Sequence, residues 1–391
     1  MSEVELGEHC QVQDQTTWLE IDRDALKHNV MVVRQLTLPS AALLVVVKAN
    51  AYGHGLREVS NCLRDEAAYF GVSTLEEALR LRHFEIDTPI LLFGVLFGSS
   101  IDQAIESEIS QAVSSVEQAR QISGRSQKLK KEALIHIKVD TGMGRLGIPK
   151  REALSAITQI AALPGLHLEG VFTHFSQGGE AEDPFTEKQV ADFCELLRAT
   201  SQRGIHFAYR HAANTVGVLH YRQAHFNLVR PGLLIYGLSP TESLRWKLRV
   251  KPVLSWKAKI ILLKRLLPGE STGYARSFVT DRETTIGILP IGYSHGYPFA
   301  LSNKGKVVHG GKPYPVVGRV SMDYVAVNFG LSFKGSVGDT VTILGKDGDE
   351  FISGEWLARR AGTIPYEIVT QLSPSVPRVV VSSNAISSSS L

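Results

Sequence analysis

The chain has 391 residues, with 42 Lys+Arg against 39 Asp+Glu for a formal net charge of +3, and 43% of its residues are hydrophobic. This balance excludes a disordered or collagen-like chain, and the densest basic stretch, residues 128–131, is too short for a nucleic-acid footprint. Cys10, Cys62 and Cys194 lie far apart without metal-ligand spacing, the start MSEVELGEHCQVQDQ lacks a secretory apolar core, and no run nears the ~20 apolar residues that span a bilayer, so a cytoplasmic protein with reduced thiols and no metal, membrane or nucleic-acid partner is expected.

After a polar lead-in, residues 21–36 carry apolar positions at helical spacing. Strand-like apolar runs then recur at 42–47, 69–72, 90–94, 111–113, 134–139, 168–172, 207–211 and 228–236, with amphipathic stretches between most of them. Runs such as LLVVV and ILLFGV are apolar at every position, as parallel strands covered on both faces must be. Ser73-Thr74-Leu75-Glu76 supplies a helix start with a Ser cap. Eight βα units predict an α/β fold, an N-terminal (β/α)8 barrel. From about residue 255 short β-like runs alternate with Gly-rich turns, predicting a mainly antiparallel β domain with one short helix near 354–361. The expected division is an extension at 1–17, a barrel at 18–254, a β domain at 255–380 and an unstructured tail at 381–391.

Lys48 follows five apolar residues, so its ammonium emerges at the C-terminal end of the first barrel strand, where this fold places its active sites. Tyr52, Gly53 and Gly55 follow closely. Arg145, His174, His211, Asn214, Arg230 and Gly232 occupy equivalent places near later strand ends. Each alone reads as a loop or satisfied core residue, but their convergence on one barrel face favours a site. Ala213-Asn214-Thr215 and Arg230-Pro231-Gly232, after strands seven and eight, offer backbone amides and a hydroxyl to a phosphate. A phosphorylated ligand beside a strand-end amine suggests pyridoxal phosphate held as a Schiff base on Lys48.

The segments VVKANAYGHG, KVDTGMGRLG, THF, HAANT, VRPGLLIYG, GYAR, PIGY, GRVSMD and TIPYE together resemble the fold-type III pyridoxal-phosphate enzymes, specifically the alanine racemase family, from about residue 18 to 380. The resemblance implies a homodimer with shared active sites, acting on a small amino acid and supplying D-alanine for peptidoglycan. By the same resemblance Lys48 holds the cofactor and serves as one base, and Tyr274 of the partner subunit serves as the other. Tyr52, His174, Asn214, Thr215, Arg230, Gly232, Leu233 and Tyr366 would surround the cofactor, with Arg230 at its pyridine nitrogen. Arg145 would pair with the substrate carboxylate, Met322 and Asp323 would border the substrate, and Lys138 is the lysine that many relatives carbamylate. Two departures stand out: His295 replaces a common acidic residue, and Thr215 replaces a common serine.

Two other readings compete. A racemase for a bulkier amino acid, or an amino-acid decarboxylase, would keep fold and cofactor, but Arg145 would stabilise the very carboxylate that decarboxylation must release. A non-catalytic cofactor-binding barrel would end near the eighth strand, whereas more than a hundred further residues here carry Tyr274, Met322 and Tyr366.

Overall fold

The computed structural model describes residues 14–176, 183–239 and 249–382. Most of the expected extension at 1–17, and residues 383–391 of the expected tail, lie outside the described residues. The chain divides into two compact units, one of residues 26–51 and 59–250, the other of residues 1–25, 52–58 and 251–391. Residues 18–25 and 52–58, expected in the barrel, thus group with the β-rich unit.

The first unit is built on eight parallel strands: β1 (Ala42–Val46), β2 (Tyr69–Val72), β3 (Ile90–Leu92), β4 (Ile109–Val113), β5 (Ala133–Asp140), β6 (Leu166–Phe172), β7 (Tyr209–His211) and β8 (Leu228–Val229). They hydrogen-bond in the order β8-β1-β2-β3-β4-β5-β6-β7. The seam between β7 and β8 is closed by Asn227, whose side chain accepts from Arg210 N at 2.8 Å and donates to Ala208 O at 2.6 Å. A side chain that mimics a peptide group thereby covers what would otherwise be two sheet edges. The eighth run is shorter than expected. Pairing stops at Val229 because Pro231 has no N–H to continue it, and Leu233–Tyr236 form a 3₁₀ turn. The helix Leu75–His83 begins one residue later than the sequence motif suggests: Thr74 Oγ1 accepts from Glu77 N, and the Glu77 carboxylate reaches back to Ser73 N.

In the β-rich unit one sheet runs in the order Leu262–Leu266, Thr284–Leu289, Val325–Asn328, Lys312–Val317, Lys306–His309, Thr340–Asp347, Leu254–Lys259, Thr17–Asp22, Arg378–Val381. Its ladders are antiparallel except the last, where Thr17–Asp22 lies parallel to Arg378–Val381. Leu254–Lys259 alternates buried and half-buried residues, the period of a strand with one face on the core. Thr17–Asp22 corrects the expectation of a lead-in running into a helix from residue 21. It is a strand, and the helix that follows is Arg23–Leu36, its start capped by Asp22 Oδ1 accepting from Asp24 N and Ala25 N. Beyond the expected helix Gly354–Ala361 there is a second, Pro365–Thr370. Among the described residues no helix is long and apolar enough to cross a membrane.

Candidate active site

Immediately after β1 and Lys48, residues Ala49, Asn50, Ala51 and Tyr52 all adopt φ of 52–53°, a full left-handed turn without a glycine. Each such residue costs roughly 1–2 kcal/mol against a right-handed turn, so the surroundings must hold it. In the barrel unit Ala51 N donates to Val47 O at 2.7 Å, and Asn50 N donates to Glu77 Oε1 at 3.3 Å. In the β-rich unit the Arg378 guanidinium donates to Gly53 O and to the carbonyls of Leu372, Ser373 and Val376. Gly53, at φ 78°, is required there, because a Cβ would collide with the Val369 carbonyl.

The barrel unit brings Lys48, Lys138, Arg145, His174, His211 and Arg230 together at or beyond the C-terminal ends of its strands. Burial lowers the basicity of the Lys48 amine, Arg145 lowers it further, and Glu77 opposes both. Lys138, 6% exposed, is pushed down to about 8 by burial and then by the charges of Arg145 and Arg230. His174 is driven down to about 3 by burial and by the same cations, led by Arg230, so its imidazole is neutral. Arg230 is 4% exposed and donates to His211 Nδ1 at 2.8 Å, Thr173 O at 2.8 Å and Ala212 O at 3.1 Å. Both Lys138 and Arg230 sit over the face of Phe172, at 5.7 and 5.3 Å from its centroid.

Two loops are set by side chains. Asp140 accepts from Gly142 N and Gly144 N at 2.9–3.1 Å, shaping the turn that presents Arg145. Gln189, fully buried, donates to Thr141 Oγ1 and His174 O and accepts from Ser176 N, tying that turn to the one bearing His174. Farther round the barrel, Asn214 caps Thr215–His220 by accepting from Gly217 N, while Gly232 N donates to Thr215 Oγ1 at 3.2 Å with Leu233 fully buried beside it. The threonine therefore keeps the hydroxyl that a serine would offer.

The remaining expected residues belong to the β-rich unit. Tyr52 and Tyr366 pack with ring centroids 6.0 Å apart, and burial pushes both phenols up, Tyr366 to about 12. Tyr274 is 70% and Met322 54% exposed, and Asp323 is exposed too. Ser294 Oγ ties the last two down, donating to Met322 O at 2.8 Å or Asp323 Oδ1 at 2.9 Å. His295 Nδ1 accepts from Gly292 N at 3.2 Å, a bond that an acidic side chain could also accept. Sequence reasoning missed Glu77, Asp140, Gln189 and Arg378, as well as His136 and Glu169. Glu169 had a signal, as the one ionisable residue in the apolar run 168–172, whereas His136 shares its strand with Lys138 and Asp140.

The family model for the alanine racemase N-terminal domain matches residues 21–240, and that for the C-terminal domain matches residues 253–380. A curated protein of Methanococcus maripaludis named alanine racemase is 38% identical over 93% of this chain and 98% of its own length, and one from Desulforamulus reducens matches to the same extent. An alanine racemase structure from Clostridium difficile superposes with a TM-score of 0.91 at 30% identity, covering 96% of this chain and 97% of that one. Conserved architecture across both domains and the crowded cationic site at the strand ends lead to one conclusion: this chain belongs to the alanine racemase family.

Proposed function

We propose that this chain interconverts L- and D-alanine with pyridoxal phosphate attached to Lys48, supplying D-alanine for peptidoglycan. The donor set fits the cofactor: an amine of lowered basicity suits an aldehyde, a buried guanidinium suits a ring nitrogen, and the Thr215 hydroxyl with nearby amides suits a phosphate. When bound, the cofactor supplies an electron-withdrawing ring that stabilises negative charge at the substrate α-carbon.

In this reading Lys48 Nζ removes or returns the α-proton on one face. Burial, and after it the charge of Arg145, favours its neutral form, the form a base needs. Tyr274 Oη performs the same service on the opposite face. Its exposure, with that of Met322, Tyr324 and Tyr293 in the same unit, supports delivery to the site of a partner subunit in a homodimer. Arg145 holds the substrate carboxylate through its forked donors. Arg230 would donate a hydrogen bond to the pyridine nitrogen without surrendering a proton, since a guanidinium keeps its charge, and His174 braces Arg230 from 3.5 Å. By the family resemblance Asn214, Thr215, Gly232 and Leu233 of the barrel unit would hold the phosphate, a role the resemblance also gives to Tyr52 and Tyr366, and Met322 with Asp323 would border the substrate. Lys138, wedged among cations, is relieved by reaction with carbon dioxide: its neutral amine adds to the carbon, a proton leaves, and an anionic carbamate faces Arg145.

The observation that carries the reading is the gathering of Lys48, Lys138, Arg145 and Arg230 at the ends of barrel strands, where burial and then Arg145 lower the basicity of Lys48. Purified protein given pyridoxal phosphate and a panel of L-amino acids should form D-alanine fastest and release no carbon dioxide, and borohydride should fix the cofactor to Lys48. Release of carbon dioxide, or label on another lysine, overturns it. Carbamylation of Lys138 should follow its amine: at a value of about 8 roughly a tenth is neutral at pH 7, and the fraction rises through pH 8. Intact mass under non-acidic conditions should therefore show the added carboxylate increasing with pH at fixed dissolved carbon dioxide. For the shared site, co-expressed Lys48→Ala and Tyr274→Ala subunits should regain about half the wild-type activity per mixed dimer, because one site then receives both lesions and the other neither. A verified heterodimer with no activity would show that both bases come from one chain.

A further inference from the structure

Behind Arg230 the barrel interior holds a continuous buried chain of polar groups that the reaction as described does not use. Arg230 Nη1 donates to His211 Nδ1 at 2.8 Å, His211 Nε2 meets His136 Nδ1 at 2.9 Å, and His136 Nε2 meets Glu169 Oε2 at 3.1 Å. Glu169 also accepts from Ser110 Oγ at 2.6 Å and from Tyr69 Oη at 2.5 Å. His136 and His211 are fully buried, and Tyr69 and Ser110 nearly so. The rings are walled in: Phe172 stacks on His211 with centroids 4.7 Å apart, and Tyr209 stacks on His136 at 6.2 Å. Gly170 leaves the space that His136 occupies, since a Cβ there would run into its ring.

The proton positions in this chain follow from its ends. A guanidinium only donates, so His211 Nδ1 must be bare and its proton must sit on Nε2. His136 Nδ1 must then accept, which leaves its proton on Nε2 facing Glu169. A second proton on either ring would set two N–H groups against each other or break the contact with Arg230. Burial and the nearby Arg230 charge disfavour imidazolium at both rings, and Glu169, hydrogen-bonded from three sides, stays ionised. A cation and an anion are thus joined by two neutral imidazoles with one allowed direction.

We propose that His211, His136 and Glu169, braced by Tyr69 and Ser110, are positioning residues that act through Arg230: the Glu169 carboxylate fixes both imidazole tautomers, and His211 thereby holds the guanidinium in place and balances its charge. The proposal rests on the reading of Arg230 as the neighbour of the pyridine nitrogen. It differs from a packing role because it depends on the charge at position 169 rather than on its volume. It also assigns work to groups remote from the substrate, so their loss should slow the chemical step without weakening alanine binding, which Arg145 governs.

The test has two arms, both on the holoenzyme. In the first, nitrogen-15 NMR of histidine-labelled protein, assigned with His136→Gln and His211→Asn variants, should show both rings neutral and protonated on Nε2 across pH 6 to 9. A proton on Nδ1 of either ring, or an imidazolium near pH 7, contradicts the proposal. In the second, Glu169→Gln should lower kcat about tenfold with KM for alanine changed less than about twofold, and Gly170→Ala should act similarly by displacing His136. The cofactor absorption band of Glu169→Gln should shift as well. A folded, cofactor-loaded Glu169→Gln enzyme with unchanged kcat and spectrum overturns the relay while leaving the racemase reading intact. Failure of borohydride to label Lys48 removes that reading instead, and the histidine spectra still decide the relay.

Discussion

The structure turns on buried positive charge. Lys48, Lys138 and Arg230 lie with Arg145 at the ends of parallel strands in one unit, where burial first, and for the two lysines neighbouring cations second, penalises the charged form. A guanidinium answers that penalty by finding acceptors, and Arg230 has carbonyls, an imidazole and the Phe172 ring around it. An amine answers by giving up its proton. The same crowding that makes two lysines unusually ready to lose protons also creates a place that welcomes anions, and a phosphate, a carboxylate and a lysine carbamate all meet that need. Basicity, cofactor attachment and substrate orientation in the proposed reaction therefore share one electrostatic cause.

Crowding of this kind is tolerable only if the groups cannot drift apart. Within the barrel unit the strained left-handed turn after Lys48 is pinned through Glu77, and the loops carrying Arg145 and His174 are pinned through Asp140 and Gln189; within the β-rich unit Arg378 anchors Gly53. None of these side chains is a proposed base or ligand. They spend their hydrogen bonds mostly on backbone groups, which converts flexible connections into fixed supports for the side chains proposed to react.

The barrel was legible in the sequence because its strands are short, several of them wholly apolar, and separated by local, repeating βα units. What escaped depends on distance along the chain or on polar groups satisfied in the interior. Thr17–Asp22 pairs with strands more than 200 residues away, so nothing nearby marks it as part of the β-rich unit. The eighth strand ended early because one proline withheld one hydrogen bond. The residues proposed to act on substrate and cofactor were singled out by their motifs and by their places at strand ends. Their supports were not, because Glu77, Gln189 and Arg378 look like ordinary helix or strand-edge residues until the partners are known. Glu169 was visible as an ionisable residue within an apolar run and His136 as one that alternates with Lys138, but only the barrel shows that His136 and Glu169 face each other.

The electrostatic account is tested most directly by titrating Lys48 in the protein free of cofactor, using carbon-13-labelled lysine and NMR, with and without Arg145. It predicts that Lys48 loses its proton below the ordinary lysine range, that Arg145→Met moves the value up, and that Glu77→Gln moves it down. A Lys48 that titrates like a surface lysine and ignores both substitutions would contradict the claim that burial and neighbouring charge together set the chemistry of this site.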